Sequence, residues 1–380
     1  MLLLMAVSAC RTDEQIVYME DETLGKAVPT EVVGMYLLNE GSMGQNKCTL
    51  DYLDLQGDDD GNIHYLRNIY AERNPNEVKE LGDVGNDCQI YGSQLWLVIN
   101  CSNKVEACRV SDTRKLAQID VPNCRYVAFH KGYAYVSSYV GEIGGAGEQP
   151  LGQVYKIDTL THQVQGIVTV GYQPDELCVV GDRLYVANSG GYRAPDYDNR
   201  ISIIDLQTFT LEGHQEVAVN LHRIRYDRYG QLWVTARGDY EGQHAKLLWM
   251  IPTQSGQLQQ GGELDVCVSD LCILGDSLFF IGTQWSQTEQ RNTLTSGIVN
   301  VRSHQLVRQP LNDTEELARM KMPYGIIVHP TERDYYVMDA KNYVSSGELL
   351  HFRQDGTFDY KVRTGDIPAH AAFVMKPKKQ

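Results

Sequence analysis

The residues of this chain that could do chemistry recur in two places, at the openings of short apolar strands and at the ends of the strands that follow them. Openings include Pro122-Asn123-Cys124-Arg125, Gln173-Pro174-Asp175-Glu176, Asn220-Leu221-His222-Arg223 and Pro323-Tyr324. Strand ends include Asn100-Cys101-Ser102-Asn103, Ser137-Ser138-Tyr139, the stretch from Asn188 to Asn199, Arg237-Gly238-Asp239-Tyr240, Thr283-Gln284-Trp285 and Asp339-Ala340-Lys341-Asn342-Tyr343. Amides, guanidiniums, carboxylates and phenols in this mixture suit recognition of a polar ligand, with rings to cover its apolar faces. Covalent chemistry is poorly served. There is no G-x-S-x-G elbow and no H-E-x-x-H pair. Residues Gly57 to Asn62 hint at a calcium loop, but the twelfth-position Glu is missing, and a hairpin turn explains them better. His222 with Arg223 and Asp175 could form a proton-transfer group; a hydrogen-bonding or steric ligand contact fits the same residues equally. No catalytic residue and no metal ligand is expected.

Plainer roles compete for each group. Asn39, Asn100, Asn188 and Asp339 end strands, where Asn and Asp commonly cap turns through nearby backbone. Gly190 and Gly191 read as turn glycines, since no helix follows them to form a phosphate cradle. Tyr139, Tyr192, Tyr197, Tyr240, Trp285, Tyr324 and Tyr343 lie in loops off the alternating strand positions, so core packing explains them less well than it does strand tyrosines, and exposed aromatic clusters tend to mark binding sites. Strand tyrosines such as Tyr133, Tyr135, Tyr185, Tyr335 and Tyr336 read as packing between sheets.

The elements that carry these residues repeat about seven times, at a period of roughly 45–50 residues, which is the spacing of propeller blades. Each unit has a polar opening, an apolar strand, a turn, a second β-rich strand and a polar end. Leu95-Trp96-Leu97-Val98-Ile99 and Tyr133-Ala134-Tyr135-Val136 are such second strands, and Val154 to Asp158, Ile201 to Asp205 and Leu349 to Phe352 are third strands. The expected fold is all-β: a seven-bladed β-propeller of four-stranded antiparallel blades, one domain over residues 32–374, with a tail at 375–380. The C-terminal segment Ile367 to Phe373 restarts the pattern with no strand pair after it. It is predicted to join the N-terminal strands in one blade, which removes a free sheet edge.

Antiparallel strands put the loop entering the first strand and the loop leaving the second on the same face. Openings and ends therefore converge on one rim. The ligand contacts predicted there are Asn100, Asn103, Arg125, Tyr139, Asp175, Asn188, Tyr192, Arg193, Tyr197, His222, Arg237, Asp239, Tyr240, Trp285, Tyr324, Asp339, Asn342, Tyr343 and His370. The opposite rim has tight turns such as Val180-Gly181-Asp182-Arg183 and His329-Pro330-Thr331-Glu332.

Composition narrows the partners. A net charge of −15, with no basic block longer than Lys376-Pro377-Lys378-Lys379, argues against nucleic acid. Residues 1–9 read as a lipoprotein signal peptide ending in the lipobox Val7-Ser8-Ala9-Cys10, with Cys10 lipidated and residues 10–31 a tether. The apolar run is too short to span a bilayer, so contact with the membrane is expected only through the lipid. The acidic stretch after Cys10 resembles the export signal that sends lipoproteins to the outer face in Bacteroides-like bacteria. Eight further cysteines show no C-x-x-C pair. Cys88 and Cys124, like Cys178 and Cys272, hold corresponding places in different blades, about 10 Å apart. Disulfide bonding needs Cα atoms within about 7 Å, so mostly buried free thiols are expected.

Several segments carry a resemblance: Asn39-Glu40-Gly41-Ser42, Asn68 to Pro75, Val98 to Asn103, Ala187 to Tyr192 and Asp339 to Tyr343. They resemble the YncE-like surface propeller lipoproteins of Bacteroides-type bacteria, and within these the BtuG group, over roughly residues 32–374. The resemblance implies a non-enzymatic outer-membrane lipoprotein on the cell-surface side. Such a protein binds cobalamin or a related corrinoid and passes it to a TonB-dependent transporter. The corrinoid is then cargo, and no cofactor is expected. The alternatives are a surface glycan- or peptide-binding propeller, an extracellular enzyme of the lactonase or quinoprotein kind, and a partner-docking platform.

Overall fold

The structure, a computed structural model, describes residues 18–28, 30–77, 80–141, 149–286 and 291–376, without the side chains of 284–286 and 291–292. The signal peptide 1–9, Cys10, most of the Gly-rich stretch between 141 and 152, the Trp285 side chain and the end of the tail lie outside the described residues.

Each second strand is apolar at consecutive positions because both of its faces are covered. In blade two, Leu95, Leu97 and Ile99 point toward blade one, whereas Trp96 and Val98 point toward blade three. In blade four, Leu184 and Val186 face blade three, and Tyr185 and Ala187 face blade five. Alternation therefore survives, but it alternates between two cores rather than between core and water. The result is seven antiparallel sheets with seven buried clusters, one between each neighbouring pair. The strand tyrosines Tyr135, Tyr185, Tyr335 and Tyr336 are buried in these clusters, as expected. Third strands are buried too, and outer strands such as Thr210–Glu216 alternate between half-buried and exposed.

The innermost strands are Gly85–Tyr91, Cys124–His130, Pro174–Val180, Leu221–Tyr226, Asp270–Leu274, Pro323–Val328 and Pro368–Met375. Each touches the next in that order, and the last touches the first, so the ring is closed. Closure is made as expected: Pro368–Met375 pairs antiparallel with Val32–Asn39, putting the C-terminal strand inside blade one. One expectation is corrected. Residues 20–26, read as part of a tether, form a fifth strand, pairing with Asn62–Arg67 on the outer edge of blade one. Charge holds it there: Arg67 pairs with Glu22 at 2.8 Å and with Glu20, and His64 sits between Asp21 and Asp58.

All eight cysteines in the described residues are free thiols. Cys48, Cys88, Cys108, Cys124 and Cys178 are buried, Cys267 and Cys272 half-buried, and Cys101 exposed.

Inner strands carry a repeated irregularity. In blade three, Arg125 and Tyr126 together oppose Ser137; in blade four, Asp175 and Glu176 oppose Ala187; in blade five, His222 and Arg223 oppose Thr235. Blades two, seven and one also carry a register shift at this level. Such a bulge places two residues where one belongs and unpairs backbone amides. Hydroxyls across the ladder take some of them: Ser137 Oγ accepts from Tyr126 N at 3.1 Å, and Thr235 Oγ1 from Arg223 N at 2.9 Å.

Blade one has its own polar knot. Asp51, fully buried, accepts hydrogen bonds from the Asn39 amide, the Tyr65 hydroxyl and the Asn68 backbone, each at 2.8 Å, and from Gly365 N at 3.3 Å. These donors come from two strands of blade one, Val32–Asn39 and Asn62–Arg67, from Asn68 just after the second, and from Gly365 in Phe358–Asp366, the outer strand of blade seven. Asp51→Ala would remove the shared acceptor of two buried donors, Asn39 and Tyr65, and of two half-buried backbone amides. Urea unfolding should show a loss of about 3 kcal/mol or more; a loss below about 1 kcal/mol would remove this knot from the closure.

Candidate functional site

The bulged ends of the inner strands and the strand-end loops enclose a funnel of about 2070 Å³ on one face. Amides crowd the side built by blades two and three, with Asn86, Asn100, Asn103 and Asn123. Blades three to five add Arg125, Tyr126, His222, Arg223 and Arg237, topped by Tyr192 and Tyr240. Blades seven and one add Tyr324, Tyr343, Met43 and Glu40. Tyr192, Tyr240 and Met43 are 60%, 72% and 77% exposed, so apolar surface on the rim is uncovered. Rings there meet edge to face, Tyr139 with Tyr192 at 6.4 Å, Tyr197 with Tyr240 at 6.3 Å and Tyr324 with Tyr343 at 5.7 Å.

Beneath the rim the polar groups are tightly held. Asp175, completely buried, accepts from Tyr139 Oη at 2.5 Å and lies 3.5 Å from Arg125 Nε and 3.4 Å from Arg237 Nη1. Arg223 Nε lies 3.2 Å from Asp270, and Arg225 Nη2 lies 3.1 Å from Glu176 and 3.0 Å from Asp270. Tyr126 sits in the middle: its hydroxyl is 3.2 Å from His222 Nε2, and the Arg223 guanidinium lies 5.1 Å from its ring centre. Burial pushes the Tyr126 phenol up to about 12. Burial, and then the charges of Arg237, Arg223 and Arg125, push His222 well below the usual imidazole range, so it is neutral at pH 7. Opposite, Tyr324 donates to Glu40 at 3.1 Å, and His370 Nε2 lies 3.4 Å from the same carboxylate.

The structure brings Asn100, Asn103, Arg125, Tyr192, His222, Arg237, Tyr240, Tyr324 and Tyr343 to the funnel wall, as the rim argument expects. Tyr139 and Asp175 do not line it; they are buried behind Arg125 and Arg237 and hold them. His370 is buried against Tyr126 and Glu40. Others turn toward the fold. Asn188 is fully enclosed, donating to Arg200 O at 2.8 Å and Ser202 Oγ at 2.9 Å. Asp339 accepts three backbone amides, from Lys321, Met322 and Lys341. Asp239 and Asn342 close Asx turns. Arg193 donates to Asp196 O at 2.7 Å and lies over the Tyr172 ring, and Tyr197 backs Tyr240. For Asp339, Asp239, Asn342 and Arg193 the turn-forming role is thus the observed one, whereas Asn188 ties its strand to the next strand of the blade. Nor do His222 and Asp175 form a proton-transfer pair, since Asp175 is engaged by Arg125, Arg237 and Tyr139. Among the described residues, no group of three or more His, Cys, Asp or Glu converges in a way that could hold a metal ion.

Sequence reasoning missed Tyr126, Asn86, Asn123 and Glu40 as wall residues. Tyr126 directly follows Arg125, and only the bulge lets two successive side chains serve one face.

Fold and funnel define the class: a seven-bladed β-propeller with a wide, polar, ring-rimmed basin on one face. No family model matches the chain, and no curated protein does. Solved structures do match. The periplasmic gluconolactonase PpgL of Pseudomonas aeruginosa shares 14% identity, with 90% of this chain and 100% of that one covered and a TM-score of 0.60. Hydrazine synthase of Kuenenia stuttgartiensis also shares 14% identity, covering 75% of this chain and 88% of that one at a TM-score of 0.62. A quinoprotein alcohol dehydrogenase-like protein of Bacteroides thetaiotaomicron shares 9%, covering 90% and 78% at a TM-score of 0.56. Likeness at these identities is likeness of fold.

The neutral state of His222 has a consequence for stability. Its folded pKa lies below the unfolded value of about 6.5, so the unfolded chain takes up a proton that the folded site refuses. The contribution is fully present above about pH 6.5 and is lost as pH falls, by up to about 1.4 kcal/mol per pH unit. In urea unfolding between pH 7.5 and 5, the stability gap between wild type and His222→Gln should shrink toward acid. Parallel curves would show that the imidazole stays freely protonatable.

Proposed function

We propose that this chain is a non-catalytic capture protein whose funnel takes a corrinoid such as cobalamin. In this reading it sits on the outer face of the outer membrane, anchored through Cys10, and passes its cargo to a TonB-dependent transporter. The observation that carries the reading is the size of the funnel together with its lining. Its volume of about 2070 Å³ exceeds the ~300–1,000 Å³ of ordinary small-molecule pockets. A corrin is broad, flat and fringed with amides. Asn86, Asn100, Asn103 and Asn123 offer donors and acceptors to that fringe, and Tyr192, Tyr240 and Tyr343 offer rings to its faces. The wall rests on strands cross-linked by buried hydrogen bonds, which lowers the ordering cost of binding.

The test is a calorimetric titration of the purified chain with cyanocobalamin, with the corrin absorbance followed in parallel. Saturable one-to-one binding without turnover is expected. Changing Tyr192, Tyr240 and Tyr343 together to Ala should weaken it about 100-fold at about 1 kcal/mol per ring, while the melting temperature holds, because these rings are exposed. No heat and no spectral change at micromolar protein would reject the corrinoid. A positive glycan array would then favour sugar stacking on the same rings.

A further inference from the structure

We infer that the funnel wall built by blades three to five is an anion subsite, in which Arg125 and Arg237 receive a carboxylate or phosphate group carried by the ligand. The inference deepens the capture reading and rests on it for the funnel being the place of binding.

The argument begins with unequal charge. Two guanidiniums share one carboxylate: Asp175 lies 3.5 Å from Arg125 and 3.4 Å from Arg237, and it also accepts from Tyr139. These contacts are long for charge-assisted hydrogen bonds, which fall near 2.7–2.9 Å. Arg125 Nε has no hydrogen-bond partner, although it is buried. The pair therefore holds one positive charge and several donors in excess of what Asp175 uses. Beside the pair, Arg223 and Arg225 face Glu176 and Asp270, and His222 is neutral. Asp87 spends its oxygens on the Cys88 and Val127 amides and the Gln89 side chain, and Glu241, also in the wall, is solvent-exposed.

Geometry aims the excess inward. Arg237 is about a third exposed, and its neighbours in the wall are Tyr192 and Tyr240. The Arg125 guanidinium lies over the Tyr139 ring, 4.7 Å from its centre, a contact that helps hold its donors in place. The far wall carries the opposite character, with Glu40 and the hydroxyl of Tyr324. An anionic group would be repelled there and attracted here, so the ligand is oriented as well as held. Arginine suits this task, since its planar fork matches carboxylate and phosphate oxygens.

The experiment follows the melting temperature of the full chain with inorganic phosphate, acetate or chloride at constant ionic strength. Wild type should show a saturable rise with phosphate or acetate of about 2 °C over chloride at ten times the apparent Kd. Which anion acts at lower concentration tells phosphate from carboxylate. In Arg125→Gln/Arg237→Gln the apparent Kd should weaken at least about tenfold, as loss of a charge-assisted hydrogen bond predicts. Arg237→Gln alone, at a partly exposed position, gives the same readout should the double variant fail to fold. Arg319→Gln, outside the funnel wall and exposed, should leave the effect unchanged and so excludes a general salt effect. Equal shifts in wild type and in the funnel variants, or no anion-specific shift in wild type, would overturn the subsite. Cyanocobalamin is titrated separately. Its failure to bind while phosphate does would end the corrinoid reading and leave the subsite standing.

Discussion

The funnel depends on a carboxylate from one blade reaching the backbone of the next. Bulging the inner strands brings polar pairs into the channel, but it also strips amides of their ladder partners, and a buried amide without an acceptor costs about 1–3 kcal/mol. Asp87 of blade two accepts from Val127 N of blade three at 3.0 Å. Glu176 of blade four accepts from Ile224 N of blade five at 2.8 Å, and Asp270 of blade six accepts from Ile326 N of blade seven at 3.0 Å. Two of these acids, Glu176 and Asp270, are at once staples between blades and the counter-charges of Arg223 and Arg225. Without them neither the bulges nor the buried arginines of blade five would be tolerated.

This device alternates, and seven is odd. Acids stand at the stapling position in blades two, four and six, whereas blades three and five put Tyr126 and Arg223 at the corresponding place. The alternation must break once around the ring, and it breaks between blades seven and one. There the strands approach so closely that a side chain at Gly325 would meet Ala369 O at 2.4 Å, and blade one presents His370 rather than an acid. Glu40, from the loop after the second strand of blade one, fills the gap and gathers Tyr324 and His370. The electrostatic asymmetry of the funnel is thus a product of ring arithmetic: cations collect where alternation holds, and an acid from a loop sits where it fails.

What the sequence made legible follows from what periodicity can encode. Consecutive apolar runs such as Leu95 to Ile99 mark strands buried on both faces, and their spacing counts the blades. A restart of the pattern at Ile367 without a following strand pair marks closure. Bulges leave no such trace, because two adjacent polar residues at a strand opening read the same whether one or both face the channel. Tyr126 and Asn86 were hidden for that reason. Asn100 and Asn188 end equivalent strands, yet Asn100 lines the funnel and Asn188 does not. The difference lies in Gly171 and Ser202, which come from elsewhere in the chain and enclose the Asn188 amide. The strand at 20–26 was missed because ion pairs to Arg67 and His64, not apolar alternation, set its register.

The division between rim and floor also says where such a protein can change without unfolding. Each floor residue answers to at least two blades: Glu176 binds an amide and two arginines of blade five, and Asp175 binds Tyr139 and Arg125 of blade three and Arg237 of blade five. Exchanging one leaves partners buried and unpaired, a penalty of about 3–5 kcal/mol against a total stability of about 5–15 kcal/mol. Rim residues such as Met43, Tyr192 and Tyr240 carry no such debt, being mostly exposed. Ligand choice in a funnel of this kind is therefore free to be written in the rim rings and amides, while the charge pattern beneath stays fixed by the fold. That separation lets one propeller scaffold serve unlike ligands, and it explains why likeness of fold to a gluconolactonase and a quinoprotein-like protein carries no information about what this funnel holds.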